Sequence, residues 1–585
     1  MLDLEEVKTK ALHELRAQYD IKVLEKDSSE ISSGYGLSQY WLLTIPVESV
    51  IFGIDQLELI IGLPSEFPLV LPKIFLPHSK YNELLTLPHI DQNRFICTYD
   101  EERAVPNPDF PAQQIRMCIY RAKKIIEAGL LGKNIEDYTE EFVAYWEQTY
   151  QGEERVFKSM LSSISEIPNE GSILDILILK NKIGSFDSIV LGNCSDSRRF
   201  RKFLDDFKYE YTCIKAFYLG SLNFGFPPFD TVNRDLNKLI LQKKEEIQNE
   251  FFDFLNKNEK RIIIIFDAGI NGYRRLQGLR ISKLPKNAKG FRKGKLPAKN
   301  AFQGIASSEK IQRISLKPIH SKRLQKRTNG VIDTHKENNF AIAGLGSIGS
   351  NLMYFLSSFS NTSFYITDPD SLSTSNIARH FLGLRYSGYF KVNGLKHFFQ
   401  HSNPNIDIKA STASIINVID QKTQDLNSCS MLFICIGKWN IENWIAELLK
   451  EGVLTIPVCF IWVEPYLLGG HALYVHPNLN HFDDFFDEEG LFRQNVISAE
   501  EYNAPNRLLS LREAGCQSTF TPYSKEKVIL FLSKLFPHLK LWISEKPEKS
   551  EAFTWIGYEE DELKGEISFS RWTKNCEHDI SIISK

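Results

Sequence analysis

Apolar positions recur at helical spacing over residues 2–18, and Gln39 to Gly62 then alternates as two strand candidates separated by Pro46-Val-Glu. A helix leading into an antiparallel meander is expected. Further along, Leu174-Asp-Ile-Leu-Ile-Leu, Ser188-Ile-Val-Leu and Arg261-Ile-Ile-Ile-Ile-Phe266 read as strands. Before the last of these, Asp230 to Asn258 places Leu236, Leu239, Ile240, Ile247, Phe251, Phe254 and Leu255 near one stripe, which predicts a helix with a packed face. Residues 160–330 are therefore expected to form a folded middle domain. Next comes the apolar strand candidate Asn339-Phe-Ala-Ile-Ala343, then Gly344-Leu-Gly-Ser-Ile-Gly349, then helical spacing from Ser350 to Ser358. A further strand candidate, Phe364-Tyr-Ile-Thr, runs up to Asp368, and Lys546-Pro-Glu-Lys-Ser-Glu551 predicts a surface turn before the final strands.

A glycine-rich turn between a strand and a helix is the context a phosphate needs. Gly344 permits the tight turn, Gly346 lets a phosphate approach the backbone, and Gly349 allows close packing of helix on strand. Asp368 follows at about the spacing of roughly 20 residues at which a carboxylate holds a ribose. Alone, this pattern fits a nicotinamide or flavin oxidoreductase as well as any other nucleotide enzyme. The residues that follow change the balance: Asp368-Pro-Asp370, Ser375-Asn376, Arg379, Gly388-Tyr-Phe-Lys391 and Asn403-Pro404. This set resembles the ThiF-type adenylation domain of ubiquitin-activating enzymes. The resemblance implies ATP, with magnesium, as the bound nucleotide. Arg379 and Lys391 would neutralise the triphosphate while a carboxylate attacks the α-phosphate, and Asn376 would orient a phosphate oxygen.

Two positions depart from that family's pattern. Gly437 stands where an acidic metal-binding residue is usual, which leaves Asp370, Glu442 or the triphosphate itself to hold magnesium. His380 replaces a more usual glutamine. Downstream, Glu513-Ala-Gly-Cys516-Gln-Ser-Thr is a polar, glycine-flanked segment. The resemblance makes Cys516 the thiol that takes the acyl group from AMP and keeps the energy of ATP as a thioester. Arg512, Ser518 and Thr519 stand near it in sequence and would favour the thiolate.

The N-terminal third carries an independent pattern: Ser65-Glu-Phe-Pro-Leu-Val-Leu-Pro-Lys-Ile-Phe-Leu-Pro77, Leu87-Pro-His89-Ile90, and Asn93-Arg-Phe-Ile-Cys97-Thr-Tyr-Asp100. That succession resembles a ubiquitin-conjugating-enzyme fold, with Cys97 as the acceptor thiol and residues 111–150 supplying the closing helices. The usual eukaryotic His-Pro-Asn triplet is missing. His89 is expected to pack or cap, and Cys118, in Ile115-Arg-Met-Cys-Ile-Tyr, to lie in the core.

At 585 residues and 43% hydrophobic content the chain can build about three or four domains. The start has no basic region followed by an apolar stretch, and no apolar run approaches the roughly 20 residues that span a bilayer, so a cytoplasmic protein with no membrane partner is expected. Nine dispersed cysteines without a Cys-x-x-Cys pair predict reduced thiols, and no bound metal ligand set or structural zinc. Although the net charge is −3, Arg274 to Thr328 holds 17 Lys or Arg residues against one acid, Glu309. Without a recognition motif this segment is read as a dock for an acidic partner, or as a source of a cation (Arg274, Arg275 or Arg292) for another protomer's ATP, in preference to nucleic acid.

The order conjugating domain, linker, activating domain resembles the fused proteins of bacterial antiphage operons of the CBASS type. The expected fold class is α/β multidomain: an N-terminal α+β ubiquitin-conjugating-like domain over 1–155, an α/β linker domain over 156–330, and a C-terminal Rossmann-like ThiF-type adenylation domain over 331–585. The resemblance implies a homodimer that activates the C-terminal carboxylate of a cGAS-like nucleotidyltransferase, or of another protein, as modifier. Gly344, Gly346, Gly349, Asp368, Asp370, Asn376, Arg379 and Lys391 would hold ATP. Cys516 and then Cys97 would relay the acyl group to a target amine. A nucleotide-binding scaffold without transfer, and an oxidoreductase, are the competing readings.

Overall fold

The computed structural model describes residues 3–31, 37–51, 54–91, 93–134, 137, 142, 145–147, 157–222, 231–258, 262–268, 275–324, 337–359, 361–478, 481–503, 509, 511–512, 519–557, 567–575 and 579–585. These residues cluster into two compact units, one formed by Met1–Asn193 and Tyr209–Pro318, the other by Cys194–Lys208 and Ile319–Lys585.

The first unit opens with helix α1 (Leu4–Arg16), capped by Asp3, whose carboxylate accepts the Glu5 and Glu6 amide protons. It leads into an antiparallel five-stranded meander of β1 (Ile21–Leu24), β2 (Gln39–Ile51), β3 (Ile54–Leu63), β4 (Lys73–Phe75) and β5 (Phe95–Ile96). The expected interruption at Pro46 is absent. Pro46 sits within β2, opposite Gln56, and β1 pairs with β2 only over Tyr40 to Leu43, so a residue without an N–H costs the open edge little. Alternation sends Trp41, Leu43, Ile45, Leu57, Leu59 and Ile61 to one face, where α1 and helix α2 (Pro111–Leu130) cover them. Proline at its first position starts α2, and Ile115, Cys118, Ile119, Ala122 and Ile126 form its buried stripe.

Next in the same unit is a closed seven-stranded barrel: β6 (Phe157–Ser162), β7 (Ile173–Ile183), β8 (Phe186–Leu191), β9 (Tyr211–Ser221), β10 (Ile262–Asp267), β11 (Leu276–Ile281) and β12 (Gln312–Pro318). Its lumen is filled by side chains from around the ring, among them Met160, Ile176, Val190, Tyr218, Ile263, Ile265 and Ile314. The unbroken Ile-Ile-Ile-Ile-Phe run has a direct cause, since alternate residues Ile262, Ile264 and Phe266 face outward under a helical layer and are buried too. That layer is two helices where the sequence pattern predicts one, α4 (Asn233–Ile240) and α5 (Glu245–Lys257). The break is capped from within α5: the Gln248 side-chain amide donates to the carbonyls of Leu241 at 3.3 Å and Lys243 at 2.8 Å. In the basic segment, β11 and β12 belong to the barrel, Phe302 is core, and exposed Lys286, Lys289, Arg292, Lys293 and Lys295 lie on the connection between them. Arg274 lies outside the described residues.

The second unit holds a helix drawn from the middle of the sequence, α3 (Ser195–Asp206), and an eight-stranded sheet in the order β15-β14-β13-β16-β17-β18-β21-β22. Five strands are parallel: β13 (Asn338–Ala343), β14 (Thr362–Thr367), β15 (Asp407–Ser411), β16 (Met431–Ile434) and β17 (Val458–Val463). Antiparallel β18 (Gly469–Val475), β21 (Glu551–Ile556) and β22 (Ile580–Ser584) extend one edge, and β19 (Leu511–Arg512) pairs with β20 (Thr519–Phe520) apart from the sheet. Helices α6 (Ser347–Leu356), α7 (Lys391–Ser402) and α10 (Lys525–Glu545) pack on one face through Leu352, Leu395 and Phe531. Helices α8 (Ile415–Asn427) and α9 (Trp439–Lys450) cover the other through Ile419, Ile445 and Leu449. The arrangement is Rossmann-like, and its ligand crevice is expected at the carboxyl ends of the parallel strands.

Candidate functional site

The carboxyl end of β13 runs into Gly344, whose φ of +84° is a conformation glycine adopts at no steric cost. A Cβ at Gly344 would lie 2.7 Å from the Cys435 carbonyl oxygen, and one at Gly349 would lie 2.0 Å from that of Gly344. At Gly346, by contrast, a Cβ would meet nothing within 4 Å. Two glycines are thus required for packing, and the middle one faces open space at the start of α6, where unpaired N–H groups favour an anion. Asp368 is buried behind this turn: its Oδ2 accepts the Leu345 N–H at 2.6 Å and its Oδ1 the Asp370 N–H at 2.8 Å. His380 braces it from the other side. Its Nδ1 accepts the Leu382 N–H at 3.0 Å, so Nε2 carries the proton and donates to the Leu345 carbonyl at 2.9 Å. Burial pushes the His380 imidazole down to about 4, which keeps it neutral in this role.

In front of the turn lies a cavity of about 670 Å³. Gly346, Asp370, Asn376, Arg379 and Lys391 line it together; Asp368 does not. Lys391 starts α7, with Nζ 2.8 Å from Asp370 Oδ2 and 3.4 Å from Asp368 Oδ1, so a nearly buried cation is held by two carboxylates at the cavity edge. Arg379 lies 5.2 Å from the Tyr523 ring centroid and donates to the Thr521 carbonyl at 3.4 Å. Tyr523 in turn is hydrogen-bonded to Ser347 at 2.5 Å.

The cavity continues over the ends of β16 and β17. Glu442, on the first turn of α9, accepts the Gly437 N–H at 3.0 Å. Burial pushes its carboxyl up to about 7 despite the backbone donors at Gly437 and Lys438 that favour the anion. Glu464, just past β17, is buried and satisfied on both oxygens. Oε1 accepts the Val496 N–H at 2.6 Å and lies 2.7 Å from His471 Nε2, while Oε2 accepts the Ile497 N–H at 2.8 Å and the Tyr502 hydroxyl at 3.0 Å. A Cβ at Gly469 would lie 2.2 Å from Glu464 Oε1, so the carboxylate fits only against glycine. One side chain thereby fixes the segment after β17, residues 496–497 and Tyr502 as a single wall.

In the first unit, Cys97 follows β5, is exposed between buried Ile96 and Thr98, and takes part in no disulfide. Its N–H donates to the His89 carbonyl at 2.8 Å, beside an isolated bridge between Ile90 and Ile96. His89 has a φ of +63°, and its N–H donates to the Tyr145 hydroxyl at 2.8 Å. Its ring Nε2 is 3.0 Å from Asp137 Oδ2. Cys118 is a core residue whose burial pushes the thiol up to about 12, the opposite of what a nucleophile needs.

Residues 39–153 match the family described as Prokaryotic E2 family B, and residues 325–477 match the ThiF family. The chain fuses an E2-like domain to a ThiF-type domain. No curated protein matches it. Among solved structures it is similar to PaaA, at 16% identity over 40% of this chain and 64% of that one, with a TM-score of 0.27. It is also similar to MccB, the microcin C7 biosynthetic enzyme, in complex with N-formylated MccA, at 13% identity over 37% of this chain and 61% of that one, with a TM-score of 0.24. For the E. coli MccB crystal structure the values are 13%, 42%, 62% and 0.27. The chain thus spans less than two thirds of the length of these solved relatives.

Within the ThiF-type domain the motif residues converge as one site, with Asp368 behind the turn and Asp370 on the cavity wall. Within the E2-like domain Cys97 is on the surface, and His89 is tied into the fold by Tyr145 and Asp137. Cys516 lies outside the described residues. Tyr523 and Glu464 escape a motif-based reading. Their signal is tertiary, since Tyr523 reaches the turn from 176 positions away along the chain. No helix among the described residues is long and apolar enough to cross a membrane.

Proposed function

We propose that the chain adenylates a protein C-terminal carboxylate with ATP, captures it as a thioester on Cys516, passes it to Cys97 and ligates it to a target amine. The observation that carries this reading is the convergence of Gly346, Asp370, Asn376, Arg379 and Lys391 on one cavity at the carboxyl ends of parallel strands. The Asn376, Arg379 and Lys391 set disfavours an oxidoreductase. The α6 N-terminus would receive phosphate. Asp368 fixes the turn from behind, and Asp370 is the carboxylate that faces the cavity. Arg379 and Lys391 would bear the charge that grows at the α-phosphate as pyrophosphate leaves. The carboxylate oxygen forms a bond to phosphorus as the bond to pyrophosphate breaks. The Cys516 thiolate then displaces AMP, the Cys97 thiolate displaces Cys516, and the target amine displaces Cys97.

Magnesium would enter with the triphosphate. Among the described residues no three metal-ligating side chains cluster, but Asp370 and Glu442 line the cavity and suit an ion that keeps most of its ligands as phosphate and water. Magnesium would supply charge neutralisation there. The modifier is proposed to be a cGAS-like nucleotidyltransferase or another protein with an accessible C-terminus, and the setting antiphage defence of the CBASS type. Both rest on the resemblance of the domain order. Exposed Arg292 and its neighbouring lysines supply a cationic surface for an acidic partner or a second protomer.

The test is ATP–pyrophosphate exchange with the purified chain and its candidate modifier. Exchange that needs the modifier's free C-terminal carboxylate, and is lost in Lys391→Ala, is expected. ATP binding without exchange would favour the scaffold reading, which the glycine at position 437 motivates.

A further inference from the structure

The strand order separates the two ends of the cavity. Asp370, Asn376, Arg379 and Lys391, which follow β14, line the cavity on one side of the glycine turn, so the nucleotide belongs there. Beyond the turn on the other side come β16 and then β17, and the cavity extends over both. That lobe is where an attacking carboxylate would approach the α-phosphate. Its lining is aromatic: Trp462 and Phe492 meet edge to face at 5.0 Å, Phe486 lies 5.7 Å from Phe492, and Trp462 and Phe486 stack at 6.3 Å. Phe492 is buried, whereas Trp462 and Phe486 are half-buried and offer ring surface. Trp439 closes one side over Gly490, where a Cβ would lie 3.3 Å from the indole.

This wall is held rigidly, because Glu464 binds the segments on either side of it through four hydrogen-bonding groups. Its chemistry is selective as well. The carboxylate of Glu464 is consumed within the wall, and the cations of the cavity, Arg379 and Lys391, sit at the phosphate end. A substrate ending in glycine would bring no side chain to cover these rings. An acidic terminal residue would lose water beside them and gain no cation.

We infer that the carboxylate substrate ends in a residue with a large apolar side chain, which packs on Trp462, Phe486 and Phe492 while its carboxylate meets the α-phosphate. The inference rests on the adenylation reading and narrows its substrate class. Burying such a side chain on a preformed wall favours it over glycine by about tenfold or more.

The test uses stable mimics of the acyl-adenylate, so neither turnover nor the partner is needed. Calorimetry would compare binding of the full chain to 5′-O-sulfamoyladenosine and to its N-acetylglycyl, N-acetylphenylalanyl and N-acetylaspartyl derivatives. The phenylalanyl compound is expected to bind about tenfold or more tighter than the glycyl one, and the aspartyl compound more weakly than the glycyl. Trp462→Ala should shrink the phenylalanyl-to-glycyl ratio to within about threefold, and Phe486→Ala provides the same readout should the first variant not fold. Binding of sulfamoyladenosine with equal or better binding of the glycyl derivative would overturn the inference alone. An unchanged ratio in both variants would overturn it too. Failure of sulfamoyladenosine itself to bind would overturn the adenylation reading, and the inference with it.

Discussion

At the residue scale the cavity's charges are set by burial as much as by neighbours. Glu442 shows this: with a carboxyl pushed up to about 7 from an ordinary value of 4.5, the folded protein holds a proton that the unfolded chain releases. Its contribution to stability is therefore greatest below about pH 4.5 and declines as pH rises toward 7. Glu442→Gln keeps an acceptor for the Gly437 N–H and removes the charge. Denaturant melts at pH 5 and pH 8 should show the variant gaining on the parent at the higher pH, by on the order of 1–3 kcal/mol. His380 gives a second test. Glutamine can keep the donation to Leu345 and the acceptance from Leu382, so His380→Gln should keep the KM for ATP within about threefold, while His380→Ala raises it about tenfold or more. Arg379→Ala should lower pyrophosphate exchange by about a hundredfold to a thousandfold, the usual loss when a group facing developing charge is removed. These residues were legible in the sequence to different degrees. The spacing from Asp370 to Lys391 identifies the cationic set, but that Asp368 faces Leu345 and Asp370 faces the cavity follows only from how β14 meets the turn.

At the scale of elements, the three glycines of the turn separate packing from binding. Gly349→Ala places a methyl carbon where the Gly344 carbonyl stands, so both thermal stability and nucleotide affinity should fall. Gly346→Ala meets open space, so its melting temperature should match the parent's while affinity for ATP drops. Melting curves with and without ATP distinguish the two. The same scale marks where sequence periodicity stops informing. It locates α1, the meander and β10, because their stripes are local. It misses the break between α4 and α5, which one glutamine side chain caps and no glycine or proline signals. It also misses the closure of the barrel, because closure rests on β12 pairing in parallel with β6 and β9 with β10 across long stretches of chain.

At the scale of the whole molecule, the domain content fits the proposed relay through two thiols. A ThiF-type domain makes an activated acyl group, and an E2-like domain offers an exposed cysteine to receive it. The buried Cys118 cannot substitute, since burial holds its thiol up to about 12. Cys97→Ser is thus expected to stop the relay at an oxyester, which resists hydrolysis and exchange better than a thioester. The most direct measurement is the intact mass, with peptide mapping, of Cys97→Ser produced together with its genomic neighbours, beside the double variant Cys97→Ser, Cys516→Ala. The expected result is a protein C-terminus esterified to residue 97 in the single variant and absent from the double. A chain that exchanges ATP and pyrophosphate yet never carries an adduct at residue 97 would contradict the relay from activation to conjugation.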